Sequence, residues 1–389
     1  MGKTLMSLFS EFKKEDLMQL YFHPAIPTVD CCDNYYRITD RDAINSILKR
    51  GSCGKTVSAD IRRGCEIKTE QESGKIKNKS FFMRRIRDLL WEISAWKSAG
   101  LKKWLLEGSP DIAFFASGDA VFSQKIARWV SKFLDIPLVT YVCDEYYFYH
   151  KGLLKRVLTK NIAKTIKSSE RVIAICEDLG KIYFETFGTE YDAVMTGSSF
   201  EAGSLEKKKC EEISYIGNTA LNRWKSLIDI ADVLDDLNRG NSWNYKLVYY
   251  GSKNCELENK IEYGGFLNVE GIAQAMSKSC MLVHVETFDK EYIPRLEYSV
   301  STKIADSLAS GSCMLAYGPG KLASMKHLVR NNCCVFAENK ADLKRELGKI
   351  FLDEQEIAKK EANALETARK FHDSKTNSLK LRKILEELA

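Results

Sequence analysis

The sequence predicts an α/β protein built from two Rossmann-like domains, on three observations. Short, continuous apolar runs alternate with amphipathic helical segments along the chain, the pattern of strands buried on both faces of a parallel sheet. The chain has 389 residues, which suits two domains of roughly 150–200 residues better than one core. A small, polar and then charged stretch at 198–211 breaks the alternation near the middle and reads as a linker.

Strands are expected at 20–22, 112–116, 138–142, 171–175 and 193–196, then at 213–217, 246–250, 261–264, 281–285, 313–316 and 334–337. This gives an N-terminal domain at 1–197, a linker at 198–211 and a C-terminal domain at 212–371. A last helix, 372–389, would pack back on the N-terminal domain. The charged helical tail from about residue 355 is broken at His372, Asp373 and Ser374. A Rossmann-like domain opens with a strand, whereas residues 5–20 read as a helix. The first, central strand is therefore expected to be missing, with Gly2, Lys3 and Thr4 as the loop that would follow it. Either the gene start is misplaced or the domain is incomplete.

Composition is that of a globular protein, 44% hydrophobic and 29% charged. No apolar run reaches the length needed to span a membrane, and the N-terminus lacks the apolar core of a secretory signal. The cysteines form no CxxC and fit no zinc spacing, so they read as thiols in a reducing cytoplasm. Positive charge is concentrated in the first half. Residues 61–103 carry twelve Lys/Arg against five Asp/Glu, and 151–171 carry seven against one, pointing to an anionic surface or substrate there. A helix expected from Phe81 to about Trp104 aligns Phe82, Ile86, Leu89, Ile93 and Trp96, with Arg84, Arg85, Arg87 and Lys97 elsewhere. Such a helix can lie on an anionic membrane or pack on a sheet; both readings stand.

The strongest chemical signal lies in the second half. The strand at 213–217 ends in Gly217 and Asn218, and Arg223 and Lys225 follow at a helix start. Backbone amides, the helix dipole and two cations together favour a diphosphate. Farther on, Ser301 or Thr302 can cap a helix that carries Lys303 and Asp306 three residues apart. An acid there can accept the hydroxyls of a ribose. In the first half, Ser117, Gly118 and Asp119 follow one strand, and Asp144 and Glu145 follow another. Open α/β sheets bind ligands at such strand ends, and Asp144, Glu145 and Asp119 are the candidate catalytic carboxylates.

These residues resemble the donor domain of GT-B glycosyltransferases, especially the large retaining family (glycosyl transferases group 1) that builds capsule, lipopolysaccharide and exopolysaccharide. In that family a Lys opening the first helix of the domain binds the donor diphosphate, and Lys225 matches it, with Arg223 beside it. A Glu five residues before a conserved-motif Gly binds the ribose; Asp306 stands five before Gly311. Ser301, Thr302 and Lys303 stand where the family often has Pro-Ser-Lys. The Gly265 turn, with the helix and strand after it, resembles the base-binding region. In the family's spaced acidic pair, Tyr298 takes the first place.

The resemblance implies two Rossmann-like domains facing a central cleft. It implies donor-binding residues Gly217, Asn218, Arg223, Lys225, Gly265, Glu286, Ser301, Thr302, Lys303 and Asp306. Lys3, Thr4, Ser117 and Gly118 would lie on the acceptor side. The implied activity is metal-independent, retaining transfer of a sugar from a nucleotide-sugar to a hydroxyl of a glycan or lipid-linked acceptor. No cofactor and no nucleic acid is expected, and the place is the cytoplasm or the inner face of the membrane. A nucleotide-sugar epimerase on the same frame and a degenerate glycan- or partner-binding protein are the alternatives. No G-x-G-x-x-G follows any strand, which argues against a Rossmann oxidoreductase. Three decoys are set aside. Residues 51–56 lack the leading Gly of a phosphate loop, Asp40-Arg41-Asp42 sits at a helix start, and the five histidines have no metal spacing.

Overall fold

The computed structural model describes residues 2–27, 31–49, 52–57, 81–149, 155–205 and 212–389. The expectations for Gly51, His150 and residues 61–80 of the basic stretch at 61–103 fall outside these residues, as does 206–211 of the linker. The strands are β1 (Met18–Tyr21), β2 (Asn34–Arg37), β3 (Lys55–Val57), β4 (Ala113–Ala116), β5 (Leu138–Val142), β6 (Arg171–Ala174), β7 (Tyr191–Ala193), β8 (Glu212–Ile216), β9 (Lys246–Tyr250), β10 (Glu262–Gly265), β11 (Met281–Val285), β12 (Cys313–Tyr317) and β13 (Cys334–Ala337). The helices are α1 (Gly2–Leu8), α2 (Asp40–Ile47), α3 (Phe81–Ile93), α4 (Ala99–Gly108), α5 (Val121–Leu134), α6 (Arg156–Lys167), α7 (Glu177–Phe187), α8 (Arg223–Asn241), α9 (Val269–Lys278), α10 (Ile293–Leu296), α11 (Thr302–Ala309), α12 (Ala323–Arg330), α13 (Lys340–Ile350), α14 (Glu354–Phe371) and α15 (Ser374–Glu386).

The chain divides into two compact units. One comprises Met1–Leu8 with Val194–Asn377; the other comprises Phe9–Ala193 with Ser378–Ala389. The boundary expected at 197 therefore moves to 193/194, and the first eight residues join the C-terminal unit. The Ser7 hydroxyl explains this: it accepts from the Gly197 amide at 2.8 Å and lies 3.2 Å from Ser374 Oγ. Residues 198–205 are not a free linker, because the Gly203 amide donates to the Ala309 carbonyl at 2.9 Å.

The C-terminal unit holds a six-stranded sheet in the order β10-β9-β8-β11-β12-β13, with all neighbours parallel. Its central strands β11 and β12 are buried at every position, which is why their sequences are apolar without alternation. One face packs on α8 and α13 through Ile213, Leu227, Leu234, Leu315 and Leu347.

The N-terminal unit has two sheets. β4-β5-β6-β7 is parallel throughout; in β1-β2-β3, β1 and β2 are parallel and β3 antiparallel. Among the described residues β1 and β4 are paired on one side only, and every residue of both is only half-buried. The helix expected at 5–20 ends at Leu8. The Glu11 amide instead donates to Ser378 Oγ at 3.0 Å, and its carbonyl accepts from Arg382, so α15 takes the backbone groups a longer helix would use. Residues 194–196 are buried but not a strand, since the Met195 carbonyl accepts from Asn377 Nδ2 and the Thr196 carbonyl meets His372 Nδ1, both at 2.9 Å.

The single helix expected from Phe81 to Trp104 is two helices, with Ser98 capping α4. Its inward face is also the reverse of the apolar stripe. Asp88 turns inward because its carboxylate accepts from the Val121 and Phe122 amides and so caps α5. Trp91 stacks on Phe122 at 4.1 Å between centroids and donates from its indole to Asp40 at 2.8 Å. Asp42 closes a capping box with Thr39 at the start of α2. Trp91→Ala should lower the unfolding free energy of this unit by ~3–5 kcal/mol, read from urea denaturation followed by circular dichroism. A loss below about 1 kcal/mol would show that the stack and indole bond contribute little.

Candidate functional site

In the C-terminal unit the strand order runs outward in both directions from the β8/β11 pair. The segments that follow these two neighbours leave on opposite sides, which opens a crevice at their carboxyl ends. Gly217 follows β8 and Glu286 follows β11. Arg223, at the start of α8, reaches Glu286 with Nε donating to Oε2 at 2.8 Å and Nη2 to Oε1 at 3.1 Å. This is a two-point fork between side chains only 15% and 5% exposed. Nη1 also donates to Asn218 Oδ1 at 3.3 Å. Burial pushes the Glu286 carboxyl above its usual range, opposed by the Arg223 and Lys303 charges.

Lys303 enters from α11, whose N-terminus Ser301 caps by accepting from the Lys303 amide. Its ammonium lies against Gly217 so closely that a Cβ there would overlap it. Among the described residues it forms no side-chain hydrogen bond or ion pair. Burial, and then the charge of Arg223, lowers its pKa to about 8. His284, on β11, is buried with Nε2 unpartnered. Burial, then Arg223 and Lys303, holds that imidazole down to about 3, so it is neutral. Two cations and one carboxylate therefore meet at the strand ends, beside a neutral imidazole with an unused nitrogen.

The floor continues over bare backbone. A Cβ on Gly251 would overlap the Gly217 carbonyl, and the Gly251 amide donates to the Gly265 carbonyl at 2.9 Å. Gly265 has φ +97° with open space around it, a conformation that favours glycine. Next to it Phe266 is 77% exposed. Lys225 sits apart from the crevice, its ammonium 2.9 Å from Asp289, which also accepts from Asn222 Nδ2 at 2.6 Å.

Asp306 faces another way. Its Oδ1 accepts from Ser198 Oγ at 3.1 Å and the Ser199 amide at 2.8 Å, and its Oδ2 pairs with the Lys3 ammonium. Arg223, Lys225 and Asp306 thus have separate partners in this structure: Glu286, Asp289, and Lys3 with Ser198 and Ser199. The long Lys303 side chain runs back toward the N-terminus of its helix and reaches Gly217. The short Asp306 side chain meets only what packs beside its own turn. Thr302 opens α11 half-buried. Lys3 and Thr4, expected on the acceptor side, belong to the C-terminal unit: Lys3 holds Asp306, and Thr4 Oγ1 accepts from Thr196 Oγ1 at 3.4 Å.

In the N-terminal unit, Ser117 Oγ and the Gly118 carbonyl accept from Gln124 Nε2 at 2.9 and 3.0 Å. Asp119 pairs with Arg84. Glu145 is buried and accepts from the amides of Tyr147, Phe148 and Tyr149, so its carboxylate caps a turn rather than standing ready as a base. Asp144 is the exposed carboxylate, with Tyr146 donating to it at 3.3 Å. Sequence reasoning missed His284 and Asp289. A lone histidine within the apolar run MLVHV was the available signal for the first.

Residues 229–383, which include Glu286, Lys303 and Asp306, match the sequence model of a family described as glycosyl transferase-like. The chain carries a glycosyltransferase domain. Solved structures share the fold of the glycosyltransferase chain. HepE of Anabaena, in complex with UDP, superposes with a TM-score of 0.58 at 14% identity, over 75% of this chain and 83% of that one. Sucrose-phosphate synthase from Thermosynechococcus elongatus gives 0.56 at 10% identity, over 80% and 79%. TarM gives 0.55 at 13% identity, over 74% and 57%. At these identities the likeness is one of architecture: the glycosyltransferase has the GT-B fold of two Rossmann-like domains. No curated protein sequence matches the chain.

Arg223→Met in this glycosyltransferase leaves the Glu286 carboxyl buried without its partner, which should cost ~3–5 kcal/mol of stability. Adding Glu286→Gln should recover most of that loss in the same urea titration; no recovery would mean that the fork is not what holds the carboxyl.

Proposed function

We propose that this glycosyltransferase takes a nucleotide-sugar donor whose diphosphate rests at Gly217, between Lys303 and Arg223. The supporting observation is the half-buried Lys303 ammonium with no carboxylate of its own. A desolvated cation without a counter-ion is costly, and an anionic ligand offsets that cost. The unpartnered His284 Nε2 supplies a hydrogen-bonding atom beside it. HepE, solved with UDP, makes a uridine diphosphate sugar the first donor to test. The exposed ring of Phe266, past Gly265, offers a face for the base, and Asp306 is the acid assigned to the ribose once Lys3 yields it.

In the proposed reaction the acceptor hydroxyl oxygen bonds to the anomeric carbon as the bond from that carbon to the diphosphate oxygen breaks. Negative charge builds on the departing diphosphate, and the hydroxyl proton leaves to a base. Cations already in place stabilise that charge more in the transition state than in the ground state. The reading assigns this role to Lys303 and Arg223 rather than to a divalent metal ion. The resemblance to the capsule and lipopolysaccharide family supports retention of configuration. It also supports a glycan or lipid-linked acceptor in cell-surface polysaccharide or glycolipid synthesis at the cytoplasmic side of the membrane.

Calorimetric titration with UDP tests the site. Lys303→Met should weaken binding by about 10–100-fold, the worth of a charge-assisted hydrogen bond. Only the protonated amine attracts the diphosphate, so wild-type affinity should hold below pH about 8 and fall as pH rises through it, while Lys303→Arg should keep its affinity in alkaline solution. Undiminished binding by Lys303→Met would sink the assignment.

A further inference from the structure

The turn from β8 into α8 is the one place among the described residues where two consecutive non-glycine residues are left-handed. Leu221 has φ +58° and Asn222 φ +59°. In this region the Cβ of an L residue crowds the following carbonyl, and a chain seldom adopts it twice running. Asn tolerates the conformation, whereas a bulky Leu is strained in it. The start of α8 is also unusual. A helix commonly begins from an extended residue whose side chain accepts from the first turn, but the Asn222 side chain caps nothing. It is turned instead to Asp289, with Nδ2 donating to Oδ2 at 2.6 Å.

Strained residues persist where the surrounding contacts over-determine them. The first half of the turn is held by Tyr215, whose hydroxyl donates to the Asn218 carbonyl at 2.6 Å, and by Asn254, whose Nδ2 donates to Thr219 Oγ1 at 2.8 Å. The strained half is held by Asp289. That residue is itself fixed, because its amide donates at 3.1 Å to the hydroxyl of Thr287, which is buried. Asp289 also pairs with Lys225, but the two side chains are 33% and 50% exposed. An ion pair so open to water contributes little, so the weight falls on the bond from Asn222. The turn starts at Gly217, against Lys303, and ends at Arg223. Its shape therefore sets the spacing of the two cations assigned to the donor diphosphate. We infer that Asp289 is a positioning residue for the donor site, keeping the turn left-handed through Asn222 so that Gly217 and Arg223 hold their places. The inference rests on the donor reading above.

Calorimetric titration of the full chain with UDP tests this. Asp289→Ala should weaken binding by about tenfold, the scale of one hydrogen bond to a charged group. Circular dichroism should show the variant folded, because the Asp289 side chain is partly exposed. Asp289→Asn keeps an oxygen that accepts from Asn222 and should stay within about threefold of the wild type. Adding Leu221→Gly to Asp289→Ala should recover most of the loss, since glycine takes the left-handed region without a Cβ penalty. Equal losses in the Asn and Ala variants overturn the inference, and so does the absence of recovery by Leu221→Gly. Tighter binding by Asp289→Ala overturns it too, by showing that Asp289 withholds Lys225 from the ligand. A wild type that fails to bind UDP overturns the donor reading along with it. Undiminished binding by Asp289→Ala, beside a wild type that binds, overturns the role of Asp289 alone.

Discussion

Charge imbalance at the β8/β11 switch point is the constraint around which the C-terminal unit is organised. Arg223 and Lys303 converge there with one carboxylate, Glu286, between them. That carboxylate is occupied on both oxygens by Arg223, so Lys303, though attracted by Glu286, has no carboxylate in hydrogen-bonding contact among the described residues. Pre-placed charge of this kind is what phosphate chemistry requires, since the site need not reorganise as the leaving group develops. In the proposed reading, stability and reactivity pull on the same ammonium group in opposite directions.

Much of the fold was legible because buried parallel strands have a plain signature. Strands β5, β9, β11 and β13 fall where continuous apolar runs put them, and the break between α14 and α15 falls at His372, Asp373 and Ser374. Two kinds of miss stand out: groups used by distant partners, and strands too polar to read as strands. Residues 194–196 look like a strand by composition, but their carbonyls are taken by Asn377 and His372. Strands β2 and β3 carry Asn, Arg and Lys and give no apolar run. The α3 stripe looks like a core face, yet a capping duty performed by Asp88 turns the other side inward.

The site shows the same division. Gly217, Arg223 and Lys303 could be selected from residue type and position after a strand or at a helix start. Their mutual arrangement could not, because spacing along a helix gives direction but not reach. Lys303 and Asp306 are three residues apart and serve different neighbours: one spans to another strand end, while the other fastens α1 and residues 198–199. His284 carries no motif at all, and its interest lies wholly in a nitrogen that the fold leaves unused.

The assignment of the chain's ends to units has a consequence for biosynthesis. The first eight residues complete the unit made by Val194–Asn377, and the last twelve complete the unit made by Phe9–Ala193. A nascent polypeptide emerging in order would have most of its first unit outside the ribosome long before α15 appears. Until then Glu11 and Ala193 lack the hydrogen-bonding partners that Ser378, Arg382 and Lys380 later supply. The unit of Met1–Leu8 with Val194–Asn377 therefore has all its residues before the unit that begins at Phe9, because the latter waits for Ser378–Ala389.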